Sequence, residues 1–419
     1  MSFTKFKLNE KVLAGVVANG YREPTPIQVQ SIPPIMEGRD VLGTAQTGTG
    51  KTAAFVLPIL QRLMQGSRGP VRALIIAPTR ELSEQTNEAI LQLGRRTKLC
   101  STTVYGGVNI NNQIKKLRSR VDIVSACPGR LLDHIGRGTI DLSSVEMLVL
   151  DEADQMFDMG FLPDVRKIVS QLPVKRQNLL FSATMPGEIR SLANELLHDP
   201  INIRIGHVAP AMTVSHSFYP VQMDQKTALL KDILEKTQTR SVLVFTRTKW
   251  RAKSLAGQLN RVGYRVTSLH GNLSQQKRKQ SLDGFRDGRY AVMVATDIAA
   301  RGIDVTRISH VINYDMPDTA DAYTHRIGRT GRATKTGDAF SFITGQDADL
   351  LRSLKKMLGE KLHFQRVEGL TVSPPAYEAM GGHAVRGRRP GNGKKPFSAR
   401  PQASRRSKPR SLRHAGRAA

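Results

Sequence analysis

The chain has 419 residues, 63 of them Lys or Arg against 35 Asp or Glu, giving a formal net charge of +28. That length allows two or three domains at roughly 100–200 residues each, and 39% hydrophobic residues are too many for a chain disordered throughout. Two cysteines, Cys100 and Cys127, exclude a disulfide framework and a four-thiolate metal site. No apolar run reaches the ~18 residues of a membrane helix, and the first residues lack the apolar core of a secretory signal. A cytoplasmic protein with no membrane contact is expected.

Along the chain, short apolar runs alternate with helical patterns. Runs at 40–44, 73–77, 121–126, 147–150 and 177–181 are separated by amphipathic stretches such as 81–93 and 163–171. This pattern reads as buried parallel strands joined by crossover helices. A second series begins near residue 216, with runs at 241–245, 265–269, 291–295, 310–314 and 339–343. The halves echo each other: an apolar strand runs into Thr79-Arg80 in the first and into Thr246-Arg247 in the second. The predicted fold is α/β, with parallel sheets flanked by helices in domains at 1–206 and 217–368, joined by a linker at 207–216.

The remainder, 369–419, is rich in Gly, Pro, Ser and Arg. From His383 to Ala419 it carries twelve Lys/Arg and no Asp or Glu. Too few large apolar residues are present to offset the entropy of ordering, so a disordered basic tail is predicted. About +16 is left on the folded part, which points to a polyanionic partner. Aromatics are 5%, with Trp250 alone of its kind, so contact through a nucleic-acid backbone is favoured over base stacking.

Ala45, Gln46, Thr47, Gly48, Thr49, Gly50, Lys51 and Thr52 follow an apolar strand and open a helix, the context a phosphate-cradling loop requires. The glycines let backbone N–H groups wrap an anion, Lys51 supplies a point charge, and Thr52 offers a hydroxyl to Mg2+. A hundred residues on, Asp151, Glu152, Ala153 and Asp154 end another buried strand, where open α/β sheets gather ligands. Asp151 is placed to hold Mg2+ and Glu152 to deprotonate a water. Taken alone, the first segment could be a ligand-free glycine turn and the second an acidic helix cap; together they favour a nucleotide site.

These residues resemble the DEAD-box ATP-dependent RNA helicases. The likeness extends over roughly residues 6–345, through the Q-motif-like segment Gly20 to Gln28, Pro78-Thr-Arg-Glu-Leu82, Gly106-Gly107, Ser182-Ala-Thr184, 292–304 and His325 to Arg332. The Gly-Tyr form of the Q motif and the short basic tail are most similar to the bacterial RhlE-type branch.

The resemblance implies two RecA-like domains using ATP and Mg2+. It implies that Tyr21 and Gln28 bind adenine, that Asp304 reaches the ribose, and that Arg329 and Arg332 act as arginine fingers beside Lys51 and Glu152. Asp154, Ser182, Thr184 and His325 would couple the domains. Pro78, Thr79, Arg80, Gly106, Gly107 and Arg130 on the first domain, and Arg247, Gln275, Arg278 and Thr296 on the second, would grip RNA without reading sequence. The implied activity is local unwinding of short duplexes or remodelling of RNA–protein complexes by a monomer, with ribosomal RNA or the RNA-decay machinery as settings. An ATP-gated clamp or RNA chaperone with little unwinding is the alternative. One position departs from the family pattern: Cys127 stands where the family writes Thr before Pro-Gly-Arg, putting a weak thiol donor at a phosphate contact.

Overall fold

Four-residue runs of Val, Ile, Leu and Ala make stable strands only where both sheet faces are covered. The computed structural model describes residues 2–46, 48–205, 214–237, 241–300, 308–330 and 337–365. Its first sheet is built from β1 (Val41–Thr44), β2 (Ala73–Ile76), β3 (Ser101–Val104), β4 (Ile123–Ala126), β5 (Met147–Leu150), β6 (Gln177–Ser182) and β7 (Ile201–Arg204), ordered β3-β4-β2-β5-β6-β1-β7. All its pairings are parallel. Every residue of β2, β4 and β5 is buried.

The crossovers are helical, as parallel pairing demands. In chain order they are α1 (Glu10–Ala18), α2 (Pro26–Met36), α3 (Lys51–Leu63), α4 (Arg80–Leu93), α5 (Ile110–Arg118), α6 (Pro128–Gly136), α7 (Ala153–Asp158), α8 (Leu162–Val169) and α9 (Gly187–Leu196). They cover two apolar layers. One is centred on Phe55, Val149 and Phe181, the other on Leu74, Leu148 and Leu180.

The second sheet repeats the plan. Its strands are β8 (Val214–Pro220), β9 (Val242–Phe245), β10 (Val266–Leu269), β11 (Val292–Ala295), β12 (His310–Asn313), β13 (Gly337–Ile343) and β14 (His363–Phe364), ordered β10-β11-β9-β12-β13-β8-β14 and again parallel. Around it lie α10 (Lys226–Lys236), α11 (Lys249–Arg261), α12 (Gln275–Arg286), α13 (Asp297–Ala300), α14 (Ala320–Ile327) and α15 (Ala348–Leu358).

The predicted α/β class is therefore present twice, with the apolar runs as central strands. The sheet margins differ from expectation. β3 reads Ser-Thr-Thr-Val and buries alternate residues only, so it carries no apolar run. β7 and β14 are edge strands with few apolar residues, and were not expected. β8 begins at Val214, inside the segment predicted to be linker, because alternate residues from Val214 on face the core. Thr47, Asp304, Arg332, residues 206–213 and the predicted tail lie outside the described residues.

Candidate nucleotide and RNA site

The phosphate loop connects β1 to α3, and its backbone requires glycine. Gly50 has φ +94°, and a Cβ there would lie 2.5 Å from Gln28 Nε2. The loop wraps back on itself: Lys51 Nζ donates to Ala45 O at 2.7 Å and Thr49 Oγ1 to Gln46 O at 2.8 Å. Lys51 is thus buried at the helix start, with its ammonium already turned into the loop.

Gln28 approaches this loop from α2. Its Nε2 donates to Gly50 O at 3.1 Å, while its Oε1 accepts from Thr25 N at 3.0 Å. The amide predicted to recognise adenine therefore also caps α2 and ties it to the phosphate loop, keeping one N–H and one lone pair for a base. Tyr21 is part-exposed and packs edge-on against Phe3 at 6.0 Å.

The acidic cluster follows β5. Asp151 is buried, and its Oδ1 has no hydrogen-bond partner among the described residues. Burial raises its carboxyl pKa, helped by Glu152 and Asp154, while the Lys51 ammonium opposes the rise. Glu152 occupies the left-handed region at φ +54°, strain of a kind stored at functional sites. Its carboxylate is held by Gln155 Nε2, one turn along α7. Sequence reasoning missed Gln155; the signal was its spacing of three from Glu152 at a helix start, which puts the two side chains on one face.

Asp154 is the meeting point. Its Oδ2 accepts from Ala183 N at 3.1 Å, Thr184 N at 2.8 Å and Thr184 Oγ1 at 3.1 Å, and its own N–H donates to Ser182 Oγ at 3.1 Å. From the second sheet, His325 Nε2 comes within 3.8 Å of Asp154 Oδ2. All four residues predicted to couple the domains stand together. A cavity of about 460 Å3 beside them is lined by Gln46, Glu152 and Thr184 on one side and by His325 and Arg329 on the other. Arg326, also missed, braces this second wall: it pairs with Asp297, donates to Asp315 O at 2.6 Å and lies 4.9 Å from the Phe245 ring centre.

The predicted RNA residues fall at strand ends on the other side. Thr79 caps α4, its hydroxyl accepting from Leu82 N at 3.3 Å. Arg80 covers Gly107, where a Cβ would meet Nη1 at 2.3 Å. Arg130 Nη1 donates to Val108 O at 3.2 Å, which brings α6 to the Gly106–Gly107 loop. From the second domain, Gln275 with its amide oxygen turned inward accepts from Arg80 Nε at 3.0 Å. Arg278, expected to grip RNA, donates from Nε to Glu81 Oε1 at 2.9 Å across the domain gap. Arg247 and Thr296 sit apart from these, at the ends of the paired strands β9 and β11. Burial lowers the Arg80 pKa, Arg278 adds to that, and Glu81 works against it. Burial, then Glu81, push the Cys127 thiol up to about 12.

The family profile described as DEAD/DEAH box helicase matches residues 25–192, and the helicase conserved C-terminal domain matches 225–334. The chain is 44% identical over 361 residues to the ATP-dependent RNA helicase CshA of Listeria monocytogenes, covering 86% of this chain and 69% of that one. The chain belongs to the DEAD-box ATP-dependent RNA helicases. The DEAD-box helicase CshA of Bacillus subtilis is 42% identical over 365 residues, 86% of this chain and 73% of its own. Among solved structures, Saccharomyces cerevisiae Dbp5 bound to RNA and ADP BeF3 superposes with a TM-score of 0.79 at 31% identity, over 87% of this helicase and 95% of Dbp5. A DEAD box protein from Methanococcus jannaschii gives 0.51 at 36% identity, over 88% and 99%. The two sheets are thus tandem RecA-like domains of an ATP-dependent RNA helicase. Among the described residues no helix is long and apolar enough to cross a membrane.

Proposed function

We propose that this helicase separates short RNA duplexes by closing its two domains over ATP on one side and the RNA backbone on the other. Glu152 then acts as base for the attacking water, and Arg329 and Arg332 act on the γ-phosphate from the second domain. The observation that carries this reading is the shared cavity of about 460 Å3, walled by Glu152 and Asp154 from one domain and by His325 and Arg329 from the other. A base on one wall and a guanidinium on the opposite wall require closure before hydrolysis, which gates the reaction. The higher TM-score to the RNA- and ADP BeF3-bound Dbp5 supports reading this domain arrangement as the closed one.

Within that reading, Lys51 and the N–H groups of the phosphate loop hold the phosphates, Tyr21 and Gln28 hold adenine, and Asp304 reaches the ribose. The residues present fit Mg2+. Asp151 Oδ1 is buried without a partner among the described residues, and Thr52 presents a hydroxyl at the helix start. When bound, Mg2+ neutralises charge developing on the phosphates.

On the RNA side, Pro78, Thr79, Arg80, Gly106, Gly107, Arg130, Arg247, Gln275 and Thr296 contact the sugar-phosphate chain. Arg278 assists by joining the domains. Hydroxyls and backbone N–H groups reading phosphates and 2′-OH give RNA preference without sequence specificity. The domains run over 1–206 and, from β8 onward, 214–368. The enzyme acts as a cytoplasmic monomer on ribosomal RNA or RNA undergoing decay. The Gly20-Tyr21 form of the Q motif and the basic tail support an RhlE-type member, beside the CshA relatives.

Steady-state ATPase with and without single-stranded RNA tests the reading. RNA should stimulate turnover strongly, and Glu152→Gln should cut it by at least about 100-fold while ATP-dependent RNA binding persists. Hydrolysis that ignores RNA, or survives in Glu152→Gln, would sink it.

A further inference from the structure

On the outer flank of the first domain, around edge strand β3, a cluster of cations has no assigned role. After α4 the chain turns tightly: Thr97 N and Oγ1 both donate to Gly94 O, at 2.8 and 2.7 Å, and Leu99 N donates to Thr97 Oγ1 at 3.3 Å. The turn buries Thr97 and leaves Arg95, Arg96 and Lys98 exposed. Arg120, just before β4, donates from Nη2 to Lys98 O at 3.4 Å and so joins this turn to the end of α5, where Lys115, Lys116 and Arg118 are also exposed.

Among the described residues these cations, Arg120 apart, are not neutralised. Stretches 94–104 and 106–121 contain no Asp or Glu. Among the described residues Arg95, Arg96, Lys98, Lys115, Lys116 and Arg118 make no ion pair. The nearest acid, Asp122, is buried 3.8 Å from Arg120, and its oxygens accept from Gly69 N at 3.1 Å and Cys100 N at 2.8 Å. A solvated basic face would account for exposure alone. It would not account for continuity with the groove. α5 starts just past Gly106 and Gly107, and Gln113 Nε2 fastens it to Tyr105 O at 3.0 Å. From there the helix runs about 13 Å to Arg118, exposing Asn111 and Asn112, then Lys115 and Lys116, then Arg118.

We propose that this flank is a second RNA surface: it takes the sugar-phosphate backbone of RNA that runs on beyond the groove, by charge and without reading sequence. The proposal rests on the reading of the Gly106–Gly107 loop as part of that groove. An RNA longer than the segment gripped between the domains and leaving at Gly107 would meet the exposed cations Lys115, Lys116 and Arg118 on α5. Each phosphate neutralised there releases counterions, so the surface contributes affinity that falls with salt.

The test compares full-length wild type with two charge reversals, Lys115→Glu/Arg118→Glu and Arg95→Glu/Arg96→Glu, all exposed side chains. Two labelled RNAs are titrated with a non-hydrolysable ATP analogue: a short single strand sized to the groove, and the same strand extended by a duplex. Wild type should bind the extended RNA more tightly, with a steeper salt slope. Each variant should lose about tenfold of that gain at 0.1 M salt, and its salt slope should flatten by about 1–2. ATPase stimulation by the short RNA should stay within twofold, and Lys115→Arg/Arg118→Lys should restore the gain. Variants that keep both the affinity and the slope would overturn the proposal, and an acidic protein would then be the partner that fits the patch. A short RNA that fails to stimulate even the wild-type ATPase would overturn the groove reading itself, a distinct failure.

Discussion

Glu81 and Arg278 join the two domains at the face proposed for RNA, and removing their charge should be measurable as a loss of closure. Arg278 gives two N–H groups to one carboxylate oxygen, Nε at 2.9 Å with Nη2 beside it, and both side chains are only 11% exposed. A hydrogen bond to a charged group contributes about 1.5–3 kcal/mol. Stripping one partner from a fully buried pair costs about 3–5 kcal/mol. At the mouth of a solvated cleft, with an amide oxygen still able to accept, Glu81→Gln should cost about 2 kcal/mol. At 1.36 kcal/mol per decade that is about a 30-fold shift toward the open state. The assay is energy transfer between dyes on the two domains, titrated with RNA at a saturating ATP analogue. The RNA midpoint should rise about 30-fold, while turnover at saturating RNA stays within twofold. Combining the change with Arg278→Gln should give coupling near the same value. A midpoint moved less than threefold, or single effects that simply add, would refute the reasoning. Beyond this pair α4 and α12 face each other around a cavity of about 590 Å3, with Glu84 and Glu88 opposite Lys279 and Arg286. Part of the closure energy should therefore weaken with salt.

Two further outcomes follow from single side chains. Cys127 begins α6 without capping it, so Cys127→Thr should raise stability by about 0.5–1 kcal/mol in thermal unfolding and tighten ATP-dependent RNA binding, and unchanged RNA affinity would mean that backbone atoms alone bind there. Gln155→Met keeps the volume but frees the Glu152 carboxylate; kcat should fall about 10–100-fold with the KM for ATP nearly unchanged, whereas a rise in KM alone would assign Gln155 to binding.

How much was legible in the sequence depended on whether a residue acts through its type or through its neighbours. The phosphate loop and the Asp151–Asp154 cluster could be read because only certain residues at that spacing wrap a phosphate, and the central strands because burial on both faces forces apolar runs. β3 was hidden for the converse reason. It buries every other residue and is made of Ser and Thr, so it lacks such a run. Gln155 and Arg326 were hidden because their work is done on other side chains: one holds Glu152, the other ties α14 to Asp297 and Asp315. Arg278 showed the limit most clearly. The resemblance assigned it to RNA, the folded chain also pairs it with Glu81, and spacing along one chain gives no sign of a pair 197 residues apart.

Two of the contacts across the domain gap are unequal. At the face proposed for RNA, Arg278 gives two N–H groups to Glu81 Oε1. On the nucleotide side His325 Nε2 stops 3.8 Å from Asp154 and makes no hydrogen bond among the described residues. Asp154 is held there by Ala183 and Thr184, which fix the carboxylate but leave the last approach to the other domain. On the proposed reading ATP and RNA both favour closure, so by reciprocity of linkage ATP tightens RNA by the same factor that RNA tightens ATP.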